Sequence, residues 1–149
     1  MLIAVSSDEA TTLTDYVLSY IRARGHSVSL FGALAGKDSE WVDSSSAAAE
    51  SVASGTCREG VLFCWTGTGA CIAANKVRGI RAALCTSARQ AEGARKWDRA
   101  NVLVMGLEET SIPKAKAVLD AWFSTSFGNT DFEKRNIRKL DELDRARGD

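Results

Sequence analysis

The chain has 149 residues, 45% of them hydrophobic and 26% charged, which fits one buried core and a single domain over residues 1–149. Nineteen basic residues balance nineteen acidic ones at a sequence pI of about 6.6, so the basic footprint of a general nucleic-acid binder is missing. No apolar run approaches the roughly 20 residues of a membrane span, and the N-terminus lacks a signal-peptide pattern, so no membrane partner and a cytoplasmic location are expected.

In chain order, MLIAV reads as a short buried strand. DEATTLTDYVLSYIRARG places Leu13, Val17, Leu18 and Ile21 on one helical face and stops at Gly25, a natural C-cap. HSVSLFG alternates like a second strand, DSEWVDSSSAAAESVASG is helical to Gly55, and GVLFCW is a third, apolar strand. After the turn at Gly67 and Gly69, ACIAANKV reads as a short helix and IRAALC as a fourth strand. SARQAEGARKWD is helical, NVLVMG is a fifth strand, and SIPKAKAVLDAWFSTSF is a helix with Pro113 in its first turn. Alternating strands and helices, with strands apolar on both faces, predict an α/β fold: a five-stranded parallel sheet between helical layers. The terminal DFEKRNIRKLDELDRARGD is charge-rich with a thin apolar line of Phe132, Ile137, Leu140 and Leu143. That stripe predicts a helix docking on a partner subunit, with a solvated surface helix as the alternative.

The four cysteines, Cys57, Cys64, Cys71 and Cys85, form no CxxC, and the lone His26 leaves no Cys/His zinc set. Cys57 and Cys64 lie at opposite ends of one strand, too far apart to bridge, so reduced thiols are expected. The segment FCWTGTGAC invites a nucleotide reading and fails it. Gly67-Thr68-Gly69-Ala70-Cys71-Ile72 lacks the third glycine of a dinucleotide fingerprint and follows the third strand instead of the first. Lys76 is followed by Val77 and has no P-loop glycine frame. A glycine turn entering a helix nevertheless presents N–H groups at a positive helix end, suited to an anion or a polarised oxygen.

The pieces SSDEA, VASG, GVLFCWTGTGACIAANKVRGIRAALC, ANVLVMG and FEKRNIRKL occur in an order that covers nearly the whole chain. This order resembles the family of type B ribose-5-phosphate isomerase and the A and B subunits of galactose-6-phosphate isomerase. The resemblance implies a Rossmann-like three-layer α/β/α sandwich that forms a homodimer or dimer of dimers with active sites at the subunit interface. It also implies aldose–ketose isomerisation of a sugar or sugar phosphate through a cis-enediol(ate), with neither metal nor cofactor. Cys64 matches the proton-transferring base, and Thr66 matches the hydroxyl associated with ring opening. The backbone of Trp65, Gly67, Thr68 and Gly69 matches the anion hole. Asp8, joined by Glu9, matches the acid that contacts sugar hydroxyls. The chemistry fits those residue types, because proton abstraction beside a carbonyl needs a base and donors aimed at the developing oxyanion. A thiolate is such a base, and Cys64 stands at a strand end beside a helix start.

The departures from the family pattern fall in the ligand site. Glu9 replaces the histidine of ribose-specific members, Trp97 and Asp98 replace a His-Asn pair that includes a histidine linked to ring opening, and Ser44 stands for the tyrosine of D-Y-P-D. Glu108 and Asp131 fall where phosphate-binding arginines belong, and Phe132 falls on a histidine, leaving Arg135, with Lys134, Arg138 or Lys139 nearby, for an anion. The substrate is therefore expected to differ from ordinary ribose 5-phosphate. If the GLEETS and FGNTDF loops shift this correspondence, Arg81 or Arg89 would supply the charge. Structural readings stand beside these roles: Cys64 as a buried thiol, Asp8 as a helix N-cap, Glu9 as a first-turn acid and Trp97 as interface packing. A non-catalytic or auxiliary subunit of a heteromeric isomerase, and a carbonyl tautomerase or epimerase acting on a non-sugar, are the competing functions.

Overall fold

The structure is a computed structural model describing residues 1–148. Among the described residues the chain runs β1 (Leu2–Ser7), α1 (Thr12–Ala23), β2 (Ser27–Gly32), a 3-10 turn, α2 (Trp41–Ala53), β3 (Glu59–Cys64), α3 (Thr68–Asn75), β4 (Ala82–Leu84), α4 (Ala88–Lys96), β5 (Val102–Gly106), α5 (Ile112–Ser124) and α6 (Asp131–Ala146). The strands form one parallel sheet in the order β2-β1-β3-β5-β4. Alternation along β3 divides the core. Val61 and Phe63 face α1, α4 and α5, where Val17, Ile21, Val118 and Trp122 are buried. Leu62 and Cys64 face α2 and α3, whose Ala48, Ala49, Ala70 and Ala74 let those two helices sit close to the sheet. This is the three-layer sandwich expected.

The expected helix of residues 8–25 begins only at Thr12. Thr11 caps it, accepting from Thr14 N–H at 3.3 Å while Thr14 Oγ1 accepts from Thr11 N–H at 2.8 Å. Asp8 is thereby not the N-cap, and Glu9 lies outside the first turn. β4 is three residues long, shorter than IRAALC suggested, and α3 starts at Thr68, two residues before the expected helix.

The terminal stripe is divided. Ile137 is buried within the chain, whereas Phe132 and Leu143 are each 65% exposed. Helix α6 is tied to the sheet edge through its polar face: Asp144 Oδ2 accepts from Gly79 N–H at 2.8 Å, and Arg81 meets Asp141 at 3.7 Å.

Candidate active site

The chain leaves β1 toward β2 and later returns to place β3 on the other side of β1, so the ends of β1 and β3 flank a topological switch point, where open α/β sheets bind ligands. Register does the rest. Ser6 pairs with Leu62, and two residues further on each strand stand Asp8 and Cys64. On the other flank Cys64 pairs with Gly106, and Glu108 N–H donates to the Trp65 carbonyl at 2.9 Å. Asp8, Cys64, Trp65 and Glu108 are therefore carried to one edge of the sheet by three adjacent strands.

Cys64 is 6% exposed, and its Sγ accepts a hydrogen bond from Ala70 N–H at 3.4 Å. Gly67 is the N-cap of α3 at φ 81°, a left-handed conformation that glycine adopts without strain. It has no capping side chain, so the N–H groups of Thr68 and Gly69 are left to a ligand at the positive helix end. A Cβ at Gly69 would lie 2.9 Å from the Trp41 ring, so the indole rests directly on the first turn of α3. The Thr66 and Thr68 hydroxyls are bonded to each other at 2.7 Å. Ser7 Oγ donates to the Glu9 carbonyl at 2.6 Å and accepts from its N–H at 3.2 Å, which fixes the backbone of the loop bearing Asp8 and Glu9.

Beside Asp8 opens a cavity of about 540 Å³, lined also by Asp38, Ser39, Glu40, Trp41 and Asp43. Its rim is acidic, and sequence reasoning missed it. The readable signal was DSEWVD, an aromatic among acids at a helix start. Ser44 is buried at the ends of β1 and β2: it is 4% exposed, and its Cβ lies 2.8 Å from where a Cβ at Gly32 would be, whereas Trp41 is the residue against the glycine turn.

Trp97, Asp98 and Arg135 do not join this edge within one chain. Helix α4 runs back along the sheet, which puts its end near the start of β5, the length of a strand from Cys64. Trp97 lies on Gly93, with the Arg89 guanidinium and Lys96 ammonium each 5.9 Å from its ring centroid. Burial pushes the Asp98 carboxyl above its ordinary value. Arg135 rests over the Phe132 ring at 5.6 Å. The other cysteines are free thiols: Cys57 and Cys85 are buried, and burial pushes Cys85 up to about 12. Among the described residues no cluster of His, Cys, Asp and Glu could hold a metal, and no helix is long and apolar enough to cross a membrane.

The profile of the family described as Ribose/Galactose Isomerase matches residues 3–143. The chain belongs to that family. D-erythrulose-4-phosphate isomerase of Pectobacterium atrosepticum is 33% identical over 127 residues, 84% of each chain. Galactose-6-phosphate isomerase subunit LacB of Clostridium acetobutylicum is 33% identical over 144 residues, 96% of this chain and 83% of the relative. The solved ribose-5-phosphate isomerase B of Clostridium thermocellum superposes with a TM-score of 0.91 at 31% identity, covering 99% of this chain and 100% of that one. The chain is thus an enzyme of the aldose–ketose isomerase kind with the fold of ribose-5-phosphate isomerase B.

Proposed function

We propose that this isomerase works through a cis-enediol(ate), with Cys64 as the base that moves a proton between C1 and C2. The observation that carries the reading is the Cys64 sulfur at the end of β3, accepting from Ala70 N–H in the first turn of α3 beside that helix's uncapped start. In the aldose-to-ketose direction, Cys64 takes the C2 proton and charge develops on O1 before the Thr68 and Gly69 N–H groups. The Cys64 thiol, free to exchange its proton with solvent while the enediolate persists, then protonates C1, while the O2 hydroxyl gives up its proton as C2=O forms and O1 takes one up. Thr66 acts at the ring oxygen, and the carboxylates of Asp8 and Glu9 accept from sugar hydroxyls.

The substrate in this reading is not ordinary ribose 5-phosphate. Asp8, Asp38, Glu40 and Asp43 line the adjoining cavity, and Glu108 is tied to the Trp65 carbonyl. At an effective dielectric near 20, like charges about 4 Å apart repel by roughly 4 kcal/mol, and exposed pairs by less, so a phosphate dianion is disfavoured at this rim. Trp97 in place of the ring-opening histidine narrows the class further. A four-carbon aldose whose O4 carries its anionic group clear of this rim, toward Arg135 of a second copy, cannot close a furanose ring and needs no such histidine. The Pectobacterium relative is named for a sugar phosphate of that length.

A second copy completes the site in this reading. It brings Trp97, Asp98 and Arg135 to its neighbour's crevice, and the exposed Phe132 and Leu143 of α6 form part of the contact.

A panel of free and phosphorylated four-, five- and six-carbon aldoses, read by deuterium entering C2 from solvent, tests the proposal. Turnover of a four-carbon or unphosphorylated sugar is expected. Saturable turnover of ribose 5-phosphate with a KM between about 1 μM and 1 mM overturns the substrate reading. Exchange on no sugar, restored by a co-expressed paralogue, overturns the catalytic reading in favour of an auxiliary subunit.

A further inference from the structure

We infer that the opposite edge of the sheet carries a second site, for a phosphate or phosphomonoester group. A cavity of about 430 Å³ opens there, lined by Arg58, Arg81 and Arg95 together with Ser126 and Phe127. Cys64 closes the other end of β3, a strand of six residues, so the cavity and the sulfur lie about 20 Å apart in one chain.

The charges in this cavity are unequally matched. Glu59 is 6% exposed, and both its oxygens are taken, by Arg95 Nη2 at 2.7 Å and Trp122 Nε1 at 2.9 Å. Its ion pair is with Arg95. Arg81 donates through Nε to the Arg99 carbonyl at 3.0 Å, and among the described residues its ion pair is the 3.7 Å contact with Asp141. Arg58 is exposed and makes no side-chain hydrogen bond or ion pair among the described residues. Arg95 Nε is buried without an acceptor among the described residues, and so is Nε of the neighbouring Arg99. Buried donors of this kind are rare and call for a partner.

Arg95 is spent on Glu59 and on the Ala100 carbonyl, which accepts from its Nη1 at 2.6 Å. The donors offered to a ligand are therefore the guanidinium of Arg58 and the Nη groups of Arg81, whose planar forks match the oxygens of a phosphate group better than a point charge would. Phe127, held under Arg95 at 4.6 Å, gives the carbon skeleton of a phosphomonoester a flat apolar wall. Within one chain the lining of this cavity and that of the cavity beside Asp8 share no residue.

Titration of the full-length protein with orthophosphate, and separately with ribose 5-phosphate, tests the site by calorimetry and by the arginine Nε–H resonances. Saturable binding is expected, with the Arg95 Nε–H signal moving. Arg58→Ala and Arg81→Ala should each weaken binding about tenfold or more, Arg58→Lys should retain part of it, and Cys64→Ala should leave it unchanged. Because Arg58 makes no side-chain bond, its variant reads binding without disturbing the fold. Tighter binding of ribose 5-phosphate than of orthophosphate would identify a phosphomonoester ligand, and equal binding would identify the free ion. Absence of saturation, affinity untouched by both arginine variants, or movement confined to the Thr68 and Gly69 amides would overturn the proposal.

Discussion

At one edge of the sheet the donors are backbone N–H groups of an uncapped helix, and the side chains around them are Asp8, Asp38, Glu40 and Asp43. At the other edge the donors are arginine side chains, and the acid Glu59 is buried beneath them. The contrast follows from chain direction. Parallel strands with antiparallel helices place helix N-termini, with their partial positive charge, at the strands' C-terminal edge. In the proposed mechanism backbone alone answers a developing oxyanion there, and carboxylates are free to read hydroxyls. The other edge receives the negative ends of α4 and α5, so cations there must come from side chains. Arg95 Nη1, for example, donates to the Ala100 carbonyl at 2.6 Å. One edge is thus organised for chemistry and the other for charge and cohesion, and substitutions separate the two.

Cys64→Ala should lower kcat by about 10²- to 10⁴-fold and abolish deuterium entry at C2, while the melting transition stays near that of the wild type. An unaltered turnover would remove Cys64 from the chemistry.

Glu59→Ala should do the reverse. Deleting one partner of a buried pair strands Arg95 and Trp122 Nε1, at about 3 kcal/mol of stability by denaturant unfolding. Activity per folded molecule should persist. A loss of activity without a loss of stability would erase the division between the edges.

Gly67→Ala should affect both. Its φ of 81° is strained for alanine, and the new Cβ would lie 2.6 Å from Leu84 Cδ1 and 3.0 Å from Gly106 N. A loss of about 2 kcal/mol together with a fall in kcat is expected in unfolding and rate measurements.

Thr130→Ala, at the start of α6, should have the smallest effect, about 1 kcal/mol, because it removes one half of a capping box. Hydrogen bonds from the Thr130 backbone and side chain hold the Glu133 carboxyl below the usual carboxylate range. A depressed carboxyl contributes stability that is present above its unfolded value and is lost as pH falls through the folded one. Glu133→Gln should therefore flatten that part of the acid limb in pH-dependent thermal unfolding.

Element order, the buried face of α1 and the identity of the Cys64 turn were all legible, because each is written in local periodicity or in a contiguous run. What escaped depended on contacts distant in sequence. The start of α3 was read two residues late because glycine has poor helix propensity, yet Gly69 is where the Trp41 ring comes to rest. Glu59 was read as lying outside the third strand, since a charge at a buried strand start makes sense only once Arg95 and Trp122 surround it. Arg58 and Arg81 meet because Gly60 and Ala82 both pair with Val102, a register no local pattern reveals. Trp41 escaped for a similar reason, since it shares α2 with the buried Ser44 and only the docking of that helix separates a buried face from an open one.

The contact between Gly69 and the Trp41 ring also constrains how this enzyme could diversify. Any side chain at Gly69 would strike the indole, so the chemical floor of the crevice is closed to variation while its wall is not. Trp41 is 40% exposed and Trp65 56%, and Glu9 and Glu108 are exposed beside them. A directed-evolution library confined to these four positions would sample new sugars while leaving the proposed proton-transfer residues untouched.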